Sequence, residues 1–375
     1  MAKLTAAVIG CGNMGEYHLS ALRAMPEIQL VAVCDKAPEL LNRRAAQFEV
    51  PHRYTDLRVM LEEIKLDVVV IATQARQHHE AVLACAAAKV KGVLCEKPMA
   101  IDLVECDEMI EACCQSGTQL AINHQLHCSP STKLARRMVN NGDIGELILV
   151  RGLNKGRRKA GNELIHQATH TADRMACFGG KATWCQSFIT VAADNGTARE
   201  ATVDDIMESQ QLDAAQHDAG LVIGHRSFAH YGFTNCTIGE MYCMGWEQGS
   251  THGVDLIGSK GHLHLGGSLQ DRVVYFLNGA TLRGAPDDQW QRIEPAPHGV
   301  WNAADDFICG MHLHLMRAIE SGDEHPSSGF AGRDAMEMLM AVYESHRYKS
   351  RVELPLRERR HPLQRWREAV VAQRK

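Results

Sequence analysis

The chain has 375 residues, of which 45% are hydrophobic and 23% charged, and a formal net charge of −5. Such a chain is long enough for two hydrophobic cores and carries no general attraction for nucleic acid or an anionic membrane surface, so neither partner is expected. No run of about 18 or more apolar residues marks a membrane span, and the opening MAKLTAAVIGCG lacks the regions of a signal peptide. A cytoplasmic protein is expected, with its thirteen cysteines, odd in number and without a CxxC pair, as reduced thiols.

In chain order, the apolar runs TAAVIG, LVAVCD, VVVIAT, GVLCEK and TQLAIN alternate with helical patterns through Leu19–Met25, Ala46 and His79–Ala88. Alternation of this kind predicts α/β architecture with a doubly wound parallel sheet over residues 1–125. Several of the runs are continuously apolar, as expected for strands covered on both faces. The character changes after Ile144-Gly145. ELILVRGLNKG, IMESQQLDAA, CTIGEMYCMGW, VDLIGSKGHLHLGG and RVVYFL read as strands of a large, mostly antiparallel open sheet in an α+β domain over residues 126–355. Two helical patterns within 303–349 close that domain, or pack back on the first. Residues 356–375 form a charged tail, read as a surface or subunit-contact helix. On the first of these two helical patterns, late in the chain, His312 and His314 stand two apart, cannot share a helix face, and read as surface residues.

Gly10-Cys11-Gly12-Asn13-Met14-Gly15 follows the first strand and opens a helix. In such a G-x-G-x-x-G turn, Gly10 permits the sharp bend, Gly12 lets backbone approach a pyrophosphate, and Gly15 lets the helix pack close to the sheet. Asp35 ends the second strand at the distance where a carboxylate accepts both adenosine ribose hydroxyls. Together they predict a Rossmann domain binding a dinucleotide. Asp35 would repel a 2′-phosphate, which favours NAD, while Lys36 beside it keeps NADP open.

The stretch GNELIHQATHTAD sets His166 and His170 four apart, as in a zinc-protease helix, but Gln167 stands where the glutamate base would be. A third ligand at recognisable spacing is lacking, so no metal is expected. Read as one helix, the two rings lie one turn apart on one face, with Asp173 close by; packing, capping and a salt bridge are the structural alternatives for these residues.

VLCEKPMA, with Glu96-Lys97-Pro98 at a strand end, joins GCGNMG, Asp35, ATQARQHHE, INHQLHCSP, GDIGELILVRG, the HxxD of His170 and Asp173, and IGSKG in an order that spans residues 5 to 355. In this it resembles the Gfo/Idh/MocA oxidoreductases, named for glucose–fructose oxidoreductase and inositol dehydrogenase. The resemblance implies that Lys97 lies beside the nicotinamide and the reacting hydroxyl, with Glu96 next to it and a cis bond before Pro98. It implies that Thr73 follows the cofactor diphosphate, with Gln74 replacing the usual proline, and that His78 is the histidine of that segment. It places Asn123, His124 and Gln125 beside the nicotinamide ribose and the substrate. His170 matches the family's catalytic histidine and Asp173 the carboxylate one turn later, whereas His166 stands where many members carry Asp or Glu. Asn154, Lys155, Arg158 and Asn162, in the cationic segment RGLNKGRRKAGN, could line the substrate mouth, with Arg suited to a carboxylate, sulfonate or phosphate.

The chemistry implied is hydride transfer between nicotinamide and a secondary hydroxyl of a sugar, glycoside, sugar acid or cyclitol. His170 would act as general base and Lys97 would stabilise the alkoxide. An alternative with the same residues is NAD-dependent glycoside cleavage through transient oxidation, elimination and re-reduction, which the exchange at His166 hints at. A homodimer or homotetramer is the expected assembly.

Overall fold

The computed structural model describes residues 3–156, 162–192, 197–209, 218–245, 251–266, 273–279, 289–295 and 306–373. In chain order come β1 (Leu4–Ile9), α1 (Asn13–Ala24), β2 (Ile28–Cys34), α2 (Pro38–Gln47), β3 (His52–Tyr54), α3 (Leu57–Glu63), β4 (Val68–Ile71), α4 (Ala75–Ala87), β5 (Gly92–Cys95), α5 (Leu103–Ser116) and β6 (Gln119–Ile122). α6 (Pro130–Asn141), β7 (Leu147–Gly156), α7 (Asn162–His166), α8 (Ala168–Gly179), β8 (Ala182–Ala192), β9 (Ala198–Glu200), β10 (Met207–Glu208), β11 (Leu221–Val222), β12 (Arg226–Phe233) and β13 (Ile238–Gly245) follow. The remainder is β14 (Thr251–Gly258), β15 (Gly261–Gly266), β16 (Val274–Asn278), β17 (Gln291–Ile293), α9 (Asp306–Ser321), α10 (Gly329–Tyr348), β18 (Val352–Glu353) and α11 (Pro362–Gln373). The chain divides into two compact units, residues 1–125 with 300–333, and residues 126–299 with 334–375.

The first unit is built on a parallel sheet of order β3-β2-β1-β4-β5-β6. Every residue of β4 and β5 is buried, which is why VVVI and GVLC are apolar without alternation. The order reverses between β1 and β4, the switch point at which open α/β sheets bind ligands beyond their carboxyl ends. Helix α9 belongs to this unit and lies close over β5. A Cβ on Gly92 would come within 2.6 Å of Ile319 Cδ1 and 3.1 Å of Leu315 Cδ1, so the missing side chain sets that approach.

In the second unit the main sheet runs β17-β16-β15-β14-β7-β13-β12-β8-β18, with β9 added on β8. All neighbours are antiparallel except β7 and β13. Helix α8 covers one face, where a Cβ on Gly152 of β7 would fall 2.4 Å from Thr171 Cγ2 and 2.6 Å from Met175 Sδ. On the same side α10 holds the far end of the sheet: Ser187 N–H donates to Ser345 Oγ at 2.9 Å, and Tyr231 OH to the Met338 carbonyl at 3.1 Å. The opposite face carries the cross-strand aromatics Phe188, Phe228 and Tyr242, and Phe188 is 49% exposed.

Two local expectations change. IMESQQLDAA contributes a strand only at Met207–Glu208, paired with β11; residues 210–217 lie outside the described residues. His312 is not at the surface but 1% exposed, because α9 is packed on α1 as well as on β5; His314 is partly buried with its ring 6.0 Å from that of His325. The charged tail forms a helix as expected, α11, which buries Leu363 and extends Arg365 to Glu344 at 2.6 Å. All thirteen cysteines are free thiols, and no helix among the described residues is long and apolar enough to cross a membrane.

Gly152→Ala is expected to destabilise the second unit by roughly 1–3 kcal/mol through overpacking under α8, read as a fall of several degrees in its thermal midpoint. An unchanged midpoint would mean that α8 does not rest on this glycine.

Candidate active site

At the carboxyl ends of β1 and β2 the glycine turn is fixed by its neighbours. Gly10 has φ +96°, and a Cβ there would lie 2.5 Å from the Ala72 carbonyl oxygen. A Cβ on Gly15 would lie 2.0 Å from the Gly10 oxygen, so α1 can start here only with glycine. A Cβ on Gly12 would meet nothing within 4 Å, and no side chain caps the N-terminus of α1. The positive end of a 12-residue helix therefore faces open space over bare backbone, which suits an anionic phosphate. Asn13 is exposed on the first turn, and Met14 packs against Ala21, Ile308 and Cys309.

Asp35 helps to hold this turn: its Oδ2 accepts from Cys11 N–H at 2.7 Å and its Oδ1 from Ala37 N–H at 2.8 Å. Each oxygen keeps a lone pair for a ribose hydroxyl. Burial, with Asp35 and Cys34 nearby, pushes the Cys11 thiol up to about 12, so it stays protonated at neutral pH. Arg44, unnoticed in the sequence, is buried behind the turn, where Nε donates to the Cys11 carbonyl at 3.3 Å and Nη2 pairs with Glu16 at 2.5 Å.

Beyond β4, β5 and β6 lie Thr73, Glu96-Lys97 and Asn123-His124-Gln125. His78 is fully buried and bridges two of these loops, with Nδ1 3.0 Å from the Pro98 carbonyl oxygen and Nε2 3.1 Å from that of Thr73. Burial lowers its pKa, though both carbonyls oppose the shift. The Lys97–Pro98 bond is cis. Glu96 is 4% exposed and accepts through Oε1 from Asn123 Nδ2 at 2.7 Å and from His18 Nε2 at 2.9 Å; its Oε2 accepts from Lys97 N–H at 3.2 Å. Burial alone would raise its pKa, but His18, Lys97 and Asn123 together hold it below the usual value. Its carboxylate is thus engaged by protein, while Thr73 Oγ1, Asn123 Oδ1 and Gln125 Oε1 are buried acceptors without a partner among the described residues. Buried polar atoms left in this state are uncommon, and here they cluster in the sequence positions expected to meet nicotinamide and ribose. The open space at Gly12 and these orphaned oxygens fit a dinucleotide.

In the second unit GNELIHQATHTAD is not one helix. α7 ends at His166, and α8 begins at Ala168 after Gln167, so the four-residue spacing does not by itself give a common helical face. His166 is 2% exposed and His170 8%. His170 lines a cavity of about 30 Å³ with Leu126, Gln167, Thr171, Arg174, Gly253 and Val254. Arg174, 1% exposed and one turn beyond His170, donates through Nη1 to the Gly266 carbonyl at 2.9 Å. Asp173 does bind a cation, and the cation is His127: Nδ1 lies 3.1 Å from both carboxylate oxygens. Burial works against charge on His127, but Asp173 outweighs it and raises the pKa well above the usual histidine value. Asn154 is fully buried, on the sheet face that carries Gly152, with Nδ2 3.4 Å from Cys243 Sγ. Arg158 and the side chains of Lys155 and Asn162 lie outside the described residues. Among the described residues no three His, Cys, Asp or Glu side chains could hold a metal ion.

His18, Arg44, His127 and Arg174 were not singled out in the sequence. His18 could have been: it falls on the buried stripe of α1 with Gly15, Leu19 and Leu22, where a histidine asks for a partner.

A glycine turn at the switch point of a parallel sheet and an acid at the second strand end fit a dinucleotide, and a second unit is built on a large sheet. The model of the family described as "Oxidoreductase family, NAD-binding Rossmann fold" matches residues 4–124. D-apiose dehydrogenase of Paraburkholderia graminis is 34% identical over 139 residues, 37% of this chain and 37% of that protein, so this likeness spans little more than a third of the relative. D-apiose dehydrogenase of Rhizobium rhizogenes is 28% identical over 351 residues, 92% of this chain and 96% of that protein. In structure, levoglucosan dehydrogenase in complex with NADH is similar with a TM-score of 0.77 and 18% identity, covering 94% of this chain and 99% of that one, a likeness of fold. Residues 4–124 match the Gfo/Idh/MocA oxidoreductases as an NAD-binding Rossmann unit, and the likeness to the Rhizobium protein extends over 92% of the chain at 28% identity.

Two outcomes follow. Gly12→Val is expected to leave thermal stability almost unchanged while weakening NADH binding at least tenfold, on the order of 1.4 kcal/mol; titration by NADH fluorescence reads it. The His127–Asp173 pair gives a pH signature. The pKa of His127 is raised on folding, so its stabilisation is complete below the unfolded value of about 6.5 and is lost as pH climbs through the raised one. Asp173→Asn should therefore lower the thermal midpoint most near neutral and mildly acidic pH, and the gap from the unaltered protein should narrow in alkali.

Proposed function

We propose that the protein is an NAD-dependent dehydrogenase of a secondary hydroxyl in a sugar, glycoside, sugar acid or cyclitol. The observation that carries this reading is the set of buried acceptors without partners among the described residues, Thr73 Oγ1, Asn123 Oδ1 and Gln125 Oε1, beyond the strands that also deliver Lys97. Bound there, the nicotinamide ring would accept or return a hydride. Gly10, Gly12, Asn13, Met14 and Gly15 hold the diphosphate, and Asp35 the adenosine ribose. The same carboxylate repels a 2′-phosphate, which favours NAD over NADP.

In the second unit His170 is the general base: its imidazole takes the proton of the substrate hydroxyl as the alkoxide forms. Lys97 donates to that oxygen and stabilises its growing negative charge. His127 neutralises Asp173, so Asp173 acts on the site by tying α8 to the turn that carries His127 rather than as a second base. Arg174 lines the same cavity as His170, which supports an acidic group on the substrate, and His166 stays a polar contact for it. Asn154, Lys155, Arg158 and Asn162 belong to the wall of that substrate site, and His124 to its nicotinamide side. The aromatic face of the second sheet, with Phe188 exposed, supports association into a homodimer or homotetramer.

The test is incubation with NAD and a panel of neutral and acidic sugars, glycosides and cyclitols, following NADH absorbance and, separately, released aglycone. Net NADH is expected. Aglycone release without it would replace this reading with redox-neutral glycoside cleavage. His170→Asn or Lys97→Met is expected to lower kcat by roughly a hundredfold or more with NADH affinity changed only severalfold; full turnover in either variant would remove that residue from the mechanism.

A further inference from the structure

Helices α1 and α9 bury two imidazoles against each other, in chain segments separated by 294 residues. His18 Nδ1 lies 3.1 Å from His312 Nε2, the rings meet edge-on at 5.2 Å, and the residues are 0% and 1% exposed. On its other side His18 Nε2 reaches Glu96 Oε1 at 2.9 Å, the same oxygen that accepts from Asn123 Nδ2 at 2.7 Å. None of the proposed steps of catalysis uses either histidine.

The direction of each bond follows from the acceptor at the end. An ionised carboxylate only accepts, so His18 donates through Nε2, and Asn123 donates through its amide nitrogen. His18 Nδ1 then accepts from His312 Nε2–H. This order leaves His312 Nδ1, which has no partner among the described residues, as a bare lone pair instead of a buried N–H. Burial, with His18 and His325 close by, holds the His312 pKa well below the usual value, in keeping with a neutral ring. The far end of the chain matters most. With Nδ2 turned to Glu96, the Asn123 amide must present Oδ1 on its other side, and that oxygen is buried without a partner among the described residues.

We propose that His18, backed by His312, is a positioning residue for the cofactor: through Glu96 it fixes the Asn123 amide so that Oδ1 faces a donor of the nicotinamide half of NAD, its ribose hydroxyl or carboxamide. Asn123 and Glu96 lie beyond β6 and β5, in the half of the sheet that takes the second mononucleotide, whereas the adenosine half is served by β1 and β2. The inference rests on the dinucleotide reading of the first unit and adds a role that acts on one end of that ligand.

The test compares NADH with ADP-ribose, which lacks nicotinamide, by calorimetry on the full chain. His18→Leu is expected to weaken NADH about tenfold while leaving ADP-ribose within about twofold, the size of one buried hydrogen bond to a charged network. His18→Gln, which can still donate to Glu96, should recover most of the loss, and His18→Leu should add nothing in an Asn123→Ala background. If His18→Leu does not fold, His312→Leu and Asn123→Ala carry the test and should show the same selective loss. Equal losses for both ligands, no loss for NADH, or a His18→Gln variant as weak as His18→Leu would overturn the positioning role. Failure of the unaltered protein to bind either ligand would overturn the dinucleotide reading itself.

Discussion

A carboxylate 4% exposed at the carboxyl end of an inner strand, β5, is the constraint around which the first unit is arranged. Removing one charge from water costs several kcal/mol unless hydrogen bonds and opposite charge offset it. Glu96 meets that demand from three directions: His18 on α1, Asn123 beyond β6 and the backbone of Lys97. Helix α9 joins through His312, and α4 joins through His78, which ties the loop after β4 to Pro98. The carboxylate thereby links the helix that starts at the glycine turn to the loops beyond β4, β5 and β6. Those are the positions where an extended dinucleotide would touch the sheet. Asn123 turns its amide nitrogen to Glu96 and keeps Oδ1 without a partner among the described residues, like Thr73 Oγ1 and Gln125 Oε1, which gives the unit a capacity for a polar ligand.

The second unit solves a different problem, that of bringing a helix with polar groups close to a sheet. Glycine at 152 and at 239 removes the side chains that would hold α8 away, and Met175 fills the space between them. Within that helix Asp173 and Arg174 are buried and His170 nearly so. Asp173 takes its charge partner from His127, while Arg174 reaches the end of β15. His170 is left on a small cavity in company with a guanidinium, an arrangement suited to a proton acceptor beside an anionic group.

Much of the first unit was legible in the sequence because its signals are local. Gly10, Gly12 and Gly15 at fixed spacing, Asp35 at a strand end, and unbroken apolar runs encode a turn, an acid that helps to hold it, and covered strands. What stayed hidden depends on contacts between distant segments. His312 pairs with a residue 294 positions away, and in sequence it was one of two histidines at a spacing that suggested solvent. His127 and Asp173 are 46 apart and meet only once the turn before α6 has folded. Spacing misled outright at His166 and His170, since a break at Gln167 places them on separate helices. A four-residue interval predicts a shared face only where the helix is continuous.

Reception of NAD by the glycine turn together with the loops beyond β4, β5 and β6 is the central claim. Hydrogen exchange of the full chain with and without NAD tests it most directly. The account predicts slower exchange in three separate stretches, residues 10–16, 72–78 and 96–98 with 123–125, and little change in the outer strands of the second sheet. Binding of NAD that protects the glycine turn alone, or protects none of the three, would contradict it.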